Sequence, residues 1–248
     1  MSGVSIYFGV EPPETPLLTA IGTGDVVLEP YHPLVQDGGF ADVFPHCRRY
    51  VYVNPTTVDP WHYDRMADPP PITGRDARWG LPRLDLDRPE ALDWAVAQAV
   101  AAFAADGARS TGLFVDDLDR MLPNRAELAI EYLARVGERT PHEPRWFLNR
   151  GFALWPLVEA LDAVLLEDLT PEVVGFRSVD ESRWMDEVLA AVRGVRSRGV
   201  RVHALSYDDQ DRAGATAADR RVQTELAALV DTVTTDADRP LNTWRTSR

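Results

Sequence analysis

The sequence contains no lysine, and all 26 of its basic residues are arginine. A lysine amine is needed to form a Schiff base with a substrate, to anchor pyridoxal phosphate, and to complete a phosphate-binding P-loop. A lysine that abstracts a proton from a substrate is excluded as well. The absence removes several reaction classes at once, although it selects none of those that are left.

Cysteine and long apolar runs are also scarce. The single cysteine, Cys47, allows no internal disulfide and no thiolate zinc cluster. No run of 18 apolar residues occurs, so no membrane-spanning helix is predicted. The first residues, Met1 to Ser5, include neither a basic region nor a long apolar segment. We therefore expect no signal peptide and a reducing, cytoplasmic location, or an extracellular one if an export signal was removed.

The formal net charge of -13 shows a large excess of acidic over basic residues. Nucleic acids and anionic membranes are poor partners for such a chain, because both carry the same sign of charge. The excess suits a cationic ligand, and it equally suits an ordinary solubilising surface.

Strand and helix signals alternate along the whole chain, and 45% of its 248 residues are hydrophobic. Eight short apolar runs predict strands: Ser5–Phe8, Asp25–Leu28, Arg49–Val53, Leu113–Val115, Arg145–Leu148, Ala163–Leu166, Val200–Leu205 and Val230–Thr234. No G-x-G-x-x-G follows the first strand, which disfavours an open doubly wound sheet. The pattern predicts an α/β protein, a (β/α)8 barrel that forms one domain over residues 1–248.

Helices are predicted between these strands. A short one is expected near Leu17–Ile21, and longer ones are expected after N-cap signals at Asp87 and Asn124. Apolar stripes in the helices are expected to be core contacts, for example Leu92, Val96, Val100 and Phe103, or Trp184, Val188, Leu189, Val192 and Val195. The irregular stretch Asn54–Asp85 is too long for an ordinary connection and predicts a functional loop at the barrel mouth.

Two of the predicted strands stop abruptly on acidic residues. Val115 is followed by Asp116, Asp117 and, two positions on, Asp119, and Leu166 is followed by Glu167. Side chains at the carboxyl ends of parallel strands face the ligand crevice. Two carboxylates there suit the cleavage of a glycosidic bond, since one protonates the leaving oxygen and the other meets the developing cation. The alternative is that these acids cap the following helices.

Polar residues follow the other strands too, and together they form a ring at the predicted mouth: Tyr7, Glu29 with Tyr31, Asn54, Asp116 with Asp117 and Asp119, Asn149 with Arg150, Glu167, and Tyr207 with Asp208. Eight members of this ring are expected to contact the substrate: Tyr7, Glu29, Asn54, Asp117, Asp119, Asn149, Arg150 and Tyr207. Three loop tryptophans, Trp61, Trp79 and Trp155, are candidate platforms for sugar faces, or simply packing residues.

The motifs around these acids resemble those of a known group of barrels. They are Leu113 to Asp119, Leu148 to Gly151 and Leu165 to Glu167, together with Tyr7-Phe8-Gly9 and Val26 to Pro30 near the start. The chain resembles glycoside hydrolase family 114 and, more closely, the related family 166 glycosidase domain that acts on the Pel exopolysaccharide. The resemblance runs from the first predicted strand through the sixth.

The resemblance implies a (β/α)8 enzyme that cleaves α-1,4-linked galactosamine or N-acetylgalactosamine polymers, with neither a metal nor an organic cofactor. It places the catalytic carboxylate pair on Asp116 and Glu167. Glu167, on the longer arm, would serve as proton donor in a dry or acidic neighbourhood, and Asp116 would stay ionised as nucleophile or cation stabiliser. Two departures put the substrate in question: Asn54 to Thr57 after the third strand, and Asp117 where family 114 often has asparagine.

The residues themselves leave two alternatives to a glycosidase open. In one, Asp116, Asp119 and Glu167 bind Mg²⁺ or Ca²⁺ for a metal-assisted hydrolase or lyase. In another, the barrel binds carbohydrate without cutting it. The histidines lack zinc-ligand spacing, and His203, inside the seventh strand, is expected to be a core residue. The predicted strands that precede Asp116 and Glu167 should lie about 9–10 Å apart. Because both side chains reach into the gap, the carboxyl groups are expected to be close enough for a retaining reaction.

Overall fold

A parallel sheet of eight strands organises the protein in a computed structural model of the chain. The structure describes residues 4–9, 11, 13, 18, 21–77, 79–107, 109–121, 126–170, 178–207 and 217–236. Numbered along the chain, the strands are β1 (Val4–Tyr7), β2 (Asp25–Leu28), β3 (Arg48–Val53), β4 (Ile72–Arg75), β5 (Pro82–Leu84), β6 (Gly112–Val115), β7 (Arg145–Asn149), β8 (Leu161–Glu167), β9 (Arg201–Tyr207) and β10 (Thr232–Asp236).

The large sheet runs in the order β1-β2-β3-β6-β7-β8-β9-β10, and every ladder in it is parallel. Its two outer strands come together, since the Thr234 hydroxyl donates to the Val4 carbonyl at 3.3 Å. The sheet therefore curls into a nearly closed barrel. This confirms the predicted (β/α)8 fold and places each of the eight predicted strands within two residues of its observed ends.

The helices are α1 (Pro33–Gln36), α2 (Phe40–Val43), α3 (Pro60–Tyr63), α4 (Pro89–Ala105), α5 (Ala126–Arg139), α6 (Val179–Ser197) and α7 (Ala217–Leu229). Two 3-10 turns cover Leu118–Met121 and Trp155–Leu157. Within the described part of the chain, none of the helices has the length and apolar character needed to cross a membrane.

The predicted apolar stripes pack against the barrel with one exception. In α4, Leu92, Val96 and Phe103 are buried, as expected from their helical spacing. Trp184 departs from the prediction, because 44% of it is exposed. Its ring packs edge-on against Phe152, with the ring centroids 5.9 Å apart. It therefore belongs to the edge of the α6 stripe rather than to the core.

The N-cap of helix α4 lies one residue after the predicted cap. The N-cap of α4 is Arg88 and not Asp87, and its side chain makes no capping hydrogen bond. Pro89 starts the helix instead, because its ring presets the helical φ and it has no N–H to satisfy. The predicted cap at Asn124 lies outside the described residues, as does most of the predicted Leu17–Ile21 helix.

Alternation along the strands divides the core into two layers. One face of each strand packs on the helices. The other face fills the barrel interior with apolar and aromatic side chains: Val4, Ile6, Val27, Tyr50, Phe114, Phe147, Ala163, Leu165, Leu205 and Tyr207. A packed interior leaves only the two ends of the barrel for polar groups.

The amino-terminal end of the barrel holds a buried ionic network centred on Asp25. The Asp25 carboxylate contacts Arg201 Nε at 2.9 Å and His203 Nε2 at 2.8 Å, and Arg48 binds it as well. His203 Nδ1 lies 2.8 Å from the Thr232 hydroxyl, so both ring nitrogens are satisfied. His203 is therefore the core residue that its position in the strand predicted.

This network sets the charge of Asp25. Burial alone would raise the pKa of Asp25, but the hydrogen bond and charge of His203, the charge of Arg201 and the hydrogen bond from Arg48 together lower it to about 2. The ionised carboxylate therefore stabilises the fold fully above its ordinary pKa of 3.8, and this contribution is lost as the pH falls through about 2.

We expect Asp25→Asn to reduce the free energy of unfolding by about 3–5 kcal/mol, because it removes the buried charge that pairs with Arg48 and Arg201 and leaves Arg201 with Asp162 alone. Urea unfolding at pH 7 measures this loss. Asp42→Asn, which breaks an exposed pair with Arg109, is the matched control and should change stability little. Equal effects of the two substitutions would contradict a structural role for the Asp25 network.

Candidate active site

Asp116 and Glu167 meet at the carboxyl end of the barrel. Asp116 directly follows β6, and Glu167 is the last residue of β8, with β7 between these two strands. Both residues are half-buried. The two acids that the sequence singled out are therefore neighbours, as predicted.

A single amide group joins the two carboxylates. Asn149, the last residue of β7, donates from Nδ2 to Asp116 Oδ1 at 2.8 Å and to Glu167 Oε2 at 2.8 Å. Two oxygens that each lie 2.8 Å from one nitrogen are at most about 5.6 Å apart, twice that distance. Asn149 itself is only 4% exposed. The structure therefore places it between the acids, where the sequence predicted a substrate contact.

Two tyrosines hold the outer oxygens of the pair. Tyr207, at the end of β9, donates to Glu167 Oε1 at 2.7 Å. Tyr52, from β3, donates to Asp116 Oδ2 at 2.9 Å. Sequence reasoning included Tyr207 but missed Tyr52. The period of two that puts Tyr50 inside the barrel puts Tyr52 on the same face, and this was the signal that could have found it.

The backbone turns sharply just after each of the three central residues. Asp117, Arg150 and Asp168 follow Asp116, Asn149 and Glu167, and their φ angles are 52°, 58° and 60°. This left-handed region is uncommon for residues other than glycine. Local strain of this kind clusters at functional sites, and here the same turn ends all three central strands.

Hydrogen bonds fix the loop after β6. The Asp117 backbone N–H donates to Asp116 Oδ1 at 2.8 Å. The Asp117 carboxylate accepts from Asn54 Nδ2 at 3.1 Å and pairs with Arg120 at 3.0 Å. Asn54 Oδ1 in turn accepts from the backbone of Thr56 and of Thr57. Asn54 and Asp117, both predicted to contact substrate, thus also shape the rim.

The long stretch predicted as a mouth loop contains an antiparallel hairpin, β4 with β5, which the sequence reading did not foresee. Arg120 ties this hairpin to the rim through Asp76 at 3.3 Å. Trp79, near the hairpin tip, is 47% exposed and is available to a ligand. The Trp61 side chain lies outside the described residues.

Asp119 and Arg150 lie further out on the rim. Burial raises the pKa of Asp119, and the charge of Arg150 partly opposes this. The Arg150 guanidinium also lies 4.0 Å from the Asp168 carboxylate. Both predicted residues therefore flank the carboxylate pair. Asp208 is outside the described residues.

Two predicted residues face away from the mouth. Tyr7 is 2% exposed and packs between barrel and helices, with its ring 5.8 Å from His32 and its hydroxyl accepting from the Glu11 N–H. Trp155 is fully buried and donates to the Arg150 carbonyl at 2.7 Å. Burial argues against the substrate contact predicted for Tyr7. Trp155 is the packing residue that the sequence left as an alternative, and it supports the turn at Arg150.

A second acidic group lies in a cavity between the strand ends and helix α4. Glu29, Tyr31 and Asp59 line this cavity of about 190 Å³ together with Tyr52, Asn54 and α4 residues such as Trp94, Ala95 and Ala99, and its described lining includes neither Asp116 nor Glu167. Burial and the nearby charge of Asp59 raise the pKa of Glu29 to about 7. In the described part of the chain, no arginine forms an ion pair with Glu29 or Asp59. Glu29 is thus at the mouth, as predicted.

The pKa of Asp116 differs from the sequence prediction, in which this residue stays ionised. Burial, followed by the charges of Asp117 and Glu167, raises the pKa of Asp116 to about 7, although hydrogen bonds from Asn149 and Tyr52 oppose the shift. Asp116 is therefore not fully ionised at neutral pH in the free protein. The like charge of Glu167 nearby is part of the cause, a feature of two carboxylates that share one site.

The geometry gives the acids no arrangement typical of a metal site. Among the described residues, no group of three or more histidine, cysteine, aspartate or glutamate side chains is placed to hold a metal ion. The Asn149 amide is a hydrogen-bond donor to both carboxylates. The carboxylates instead present a hydrogen-bonded acid pair.

Comparison with known proteins gives fold relatives but no sequence relatives. No family model matches the chain, and no curated protein sequence matches it. The structure of the glycoside hydrolase domain of PelA from Pseudomonas aeruginosa is similar, with a TM-score of 0.65 and 19% identity over 98% of this chain and 96% of that one. Ega3 from Aspergillus fumigatus, solved as a complex with galactosamine, gives 0.66 and 11% over 99% and 94%. These likenesses confirm the fold that the resemblance implied.

We expect Asp117→Asn to lower the pKa of Asp116, because it removes the neighbouring negative charge that raises this pKa most after burial. The N–H of residue 117 donates to the Asp116 carboxylate, so its NMR shift against pH reports the ionisation of Asp116. Its midpoint should move to lower pH. Asp119→Asn is the matched control and should move it less. A midpoint that is unchanged in Asp117→Asn would contradict the assigned cause.

Proposed function

We propose that the protein is a glycoside hydrolase that cleaves α-1,4-linked galactosamine or N-acetylgalactosamine chains with retention of configuration. The observation that carries this proposal is the carboxylate pair at the barrel mouth, with oxygens no more than about 5.6 Å apart. Retaining enzymes hold their two carboxyl groups about 5–5.5 Å apart, and inverting enzymes hold them about 6.5–9.5 Å apart to admit a water. The fold relatives and the sequence motifs support the same reaction class.

Asp116 is the nucleophile in this proposal. Three donors converge on its carboxylate: the Asn149 amide, the Tyr52 hydroxyl and its neighbour's backbone N–H. Hydrogen bonds to the charged form of an acid favour that form. The developing positive charge on the sugar would favour it further, so that Asp116 is ionised when it attacks the anomeric carbon and the bond to the leaving oxygen breaks.

Glu167 is the acid and base. Its longer side chain reaches in from β8, and the proton that it gives to the leaving oxygen creates the free hydroxyl of the departing sugar. In the second half of the reaction Glu167 takes a proton from water, whose oxygen displaces Asp116 from the sugar. Tyr207 and Asn149 each hold one of its oxygens, so the same carboxylate is aimed for both steps.

The test is release of reducing ends from α-1,4-galactosaminan and from N-acetylated oligomers. We expect Asp116→Asn and Glu167→Gln each to reduce kcat by about 10²–10⁴-fold or more, because each removes one half of the acid pair. NMR of the first product should show the α-anomer. Asp42→Asn is the control on an exposed acid, and circular dichroism checks folding.

Activity that survives both substitutions would contradict this function. Tight saccharide binding with no product would point to a barrel that binds without cutting. Activity that is lost in a chelator and restored by one divalent ion would favour the metal-assisted alternative.

The acidic cavity suggests how a free amine is recognised. Glu29 is half-buried next to Asp59, and its raised pKa reflects the cost of ionising it there. A sugar ammonium group would supply the missing positive charge, whereas an N-acetyl group would not.

Glu29→Gln should therefore raise KM for the deacetylated polymer roughly tenfold, equivalent to about 1.4 kcal/mol, and change KM for N-acetylated oligomers less. The difference between these two changes in KM should be smaller at high ionic strength, since salt screens the attraction between Glu29 and the sugar ammonium group. Steady-state kinetics on the two substrates, in low and in high salt, measure it. An equal loss on both substrates would argue against amine recognition by Glu29.

A further inference from the structure

Asn149 occupies the only strand that lies between the two carboxylates. β7 is hydrogen-bonded to β6 on one side and to β8 on the other, and the acids stand at the ends of those two flanking strands. The amide nitrogen has two hydrogens, and each goes to a different carboxylate. Any change in the position of this one side chain therefore changes the distance between the acids.

The amide lies in an orientation that leaves its own oxygen unsatisfied. Asn149 Oδ1 is buried, and no hydrogen-bond partner for it exists among the described residues. An unpaired buried acceptor is costly to a fold. Reversing the amide would bring Oδ1 against two carboxylates, which is worse. The carboxylates therefore dictate the orientation, at the expense of local stability.

Burial also argues against a direct role in binding sugar. Asn149 is 4% exposed, whereas the two acidic residues that it contacts, Asp116 and Glu167, are only half-buried. A substrate can reach the acids without touching the amide. Its effect on a reaction must therefore pass through Asp116 and Glu167.

We propose that Asn149 is a positioning residue, an uncharged clamp that fixes the spacing of Asp116 and Glu167 and lets both carboxylates occupy one site. The inference rests on the proposed function, because the spacing matters only if the two acids act on one bond. It requires a side chain with two donor hydrogens and no charge at the end of β7.

The other groups around the pair cannot replace the clamp. In the described part of the chain, Tyr52 and the N–H of Asp117 donate to Asp116, and Tyr207 donates to Glu167. The carboxylate of Asp117 adds a further negative charge on the Asp116 side. Among the described residues, Asn149 alone donates to both acids.

Two substitutions separate the parts of this role. Asn149→Asp keeps the shape but replaces a donor with a third carboxylate, and Asn149→Ala removes the clamp. In both we expect kcat to fall about 100-fold or more, as for a reacting group displaced by about 1 Å, while KM stays within a few-fold. The acidic limb of the pH profile of kcat/KM should move to higher pH, and further in Asn149→Asp. Gln223→Glu on α7 adds the same charge far from the mouth. It should change neither kcat nor the pH profile of kcat/KM.

A second measurement does not depend on activity. The Asp117 N–H reports the ionisation of Asp116 by NMR, and its midpoint should move to higher pH in both variants, since the Asn149 hydrogen bond lowers the pKa of Asp116. If the unaltered protein cleaves no galactosamine polymer, the proposed function fails while this titration still tests the clamp. An unchanged midpoint, or a loss confined to KM, would overturn the inference.

Discussion

The arrangement at the mouth depends on keeping two like charges close together in a half-buried site. Two carboxylates about 5 Å apart repel by about 3 kcal/mol at an effective dielectric constant of 20. The protein offsets this with neutral donors from three strands, namely Tyr52, Asn149 and Tyr207. All three are inward-facing positions of a parallel barrel, where neighbouring strands converge. The pKa of Asp116 is still raised, first by burial and then by the charges of Asp117 and Glu167.

The two ends of the barrel solve the problem of buried charge in opposite ways. At the amino-terminal end, Asp25 is matched by Arg201, Arg48 and His203, and its pKa is lowered. At the carboxyl end, Asp116 faces further carboxylates, and its pKa is raised. The strained turns after β6, β7 and β8 lie at this same end. The amino-terminal end thus holds stabilising ion pairs, whereas the carboxyl end holds the repelling carboxylates and the strained turns of the candidate active site.

The sequence was sufficient for the strands and for the meeting of Asp116 and Glu167, because short apolar runs that end on acid mark the carboxyl ends of buried strands. It was not sufficient to decide which way each residue faces. A strand buried on both sides has apolar residues at every position, so nothing in the run before Tyr7 showed that this side chain points to the helices. Tyr52 was missed because it lies within its strand rather than after it, although the period of two from Tyr50 places it on the inner face. The bridging geometry of Asn149 and the raised pKa of Asp116 follow from distances of a few ångströms, which no sequence pattern encodes.

The charges at the mouth connect the acidic composition to the proposed substrate. Because the chain has no lysine, its only permanently charged side-chain cations are arginines, and those on the rim are engaged: Arg120 pairs with Asp76 and Asp117, and Arg150 lies near Asp168. Glu29 and Asp59 have no such partner among the described residues, and burial together with the charge of Asp59 raises the pKa of Glu29 to about 7. A neutral sugar would leave that repulsion in place. A sugar ammonium group would relieve it and hold Glu29 ionised, so the same acid excess that repels nucleic acid would favour a chain of amino sugars.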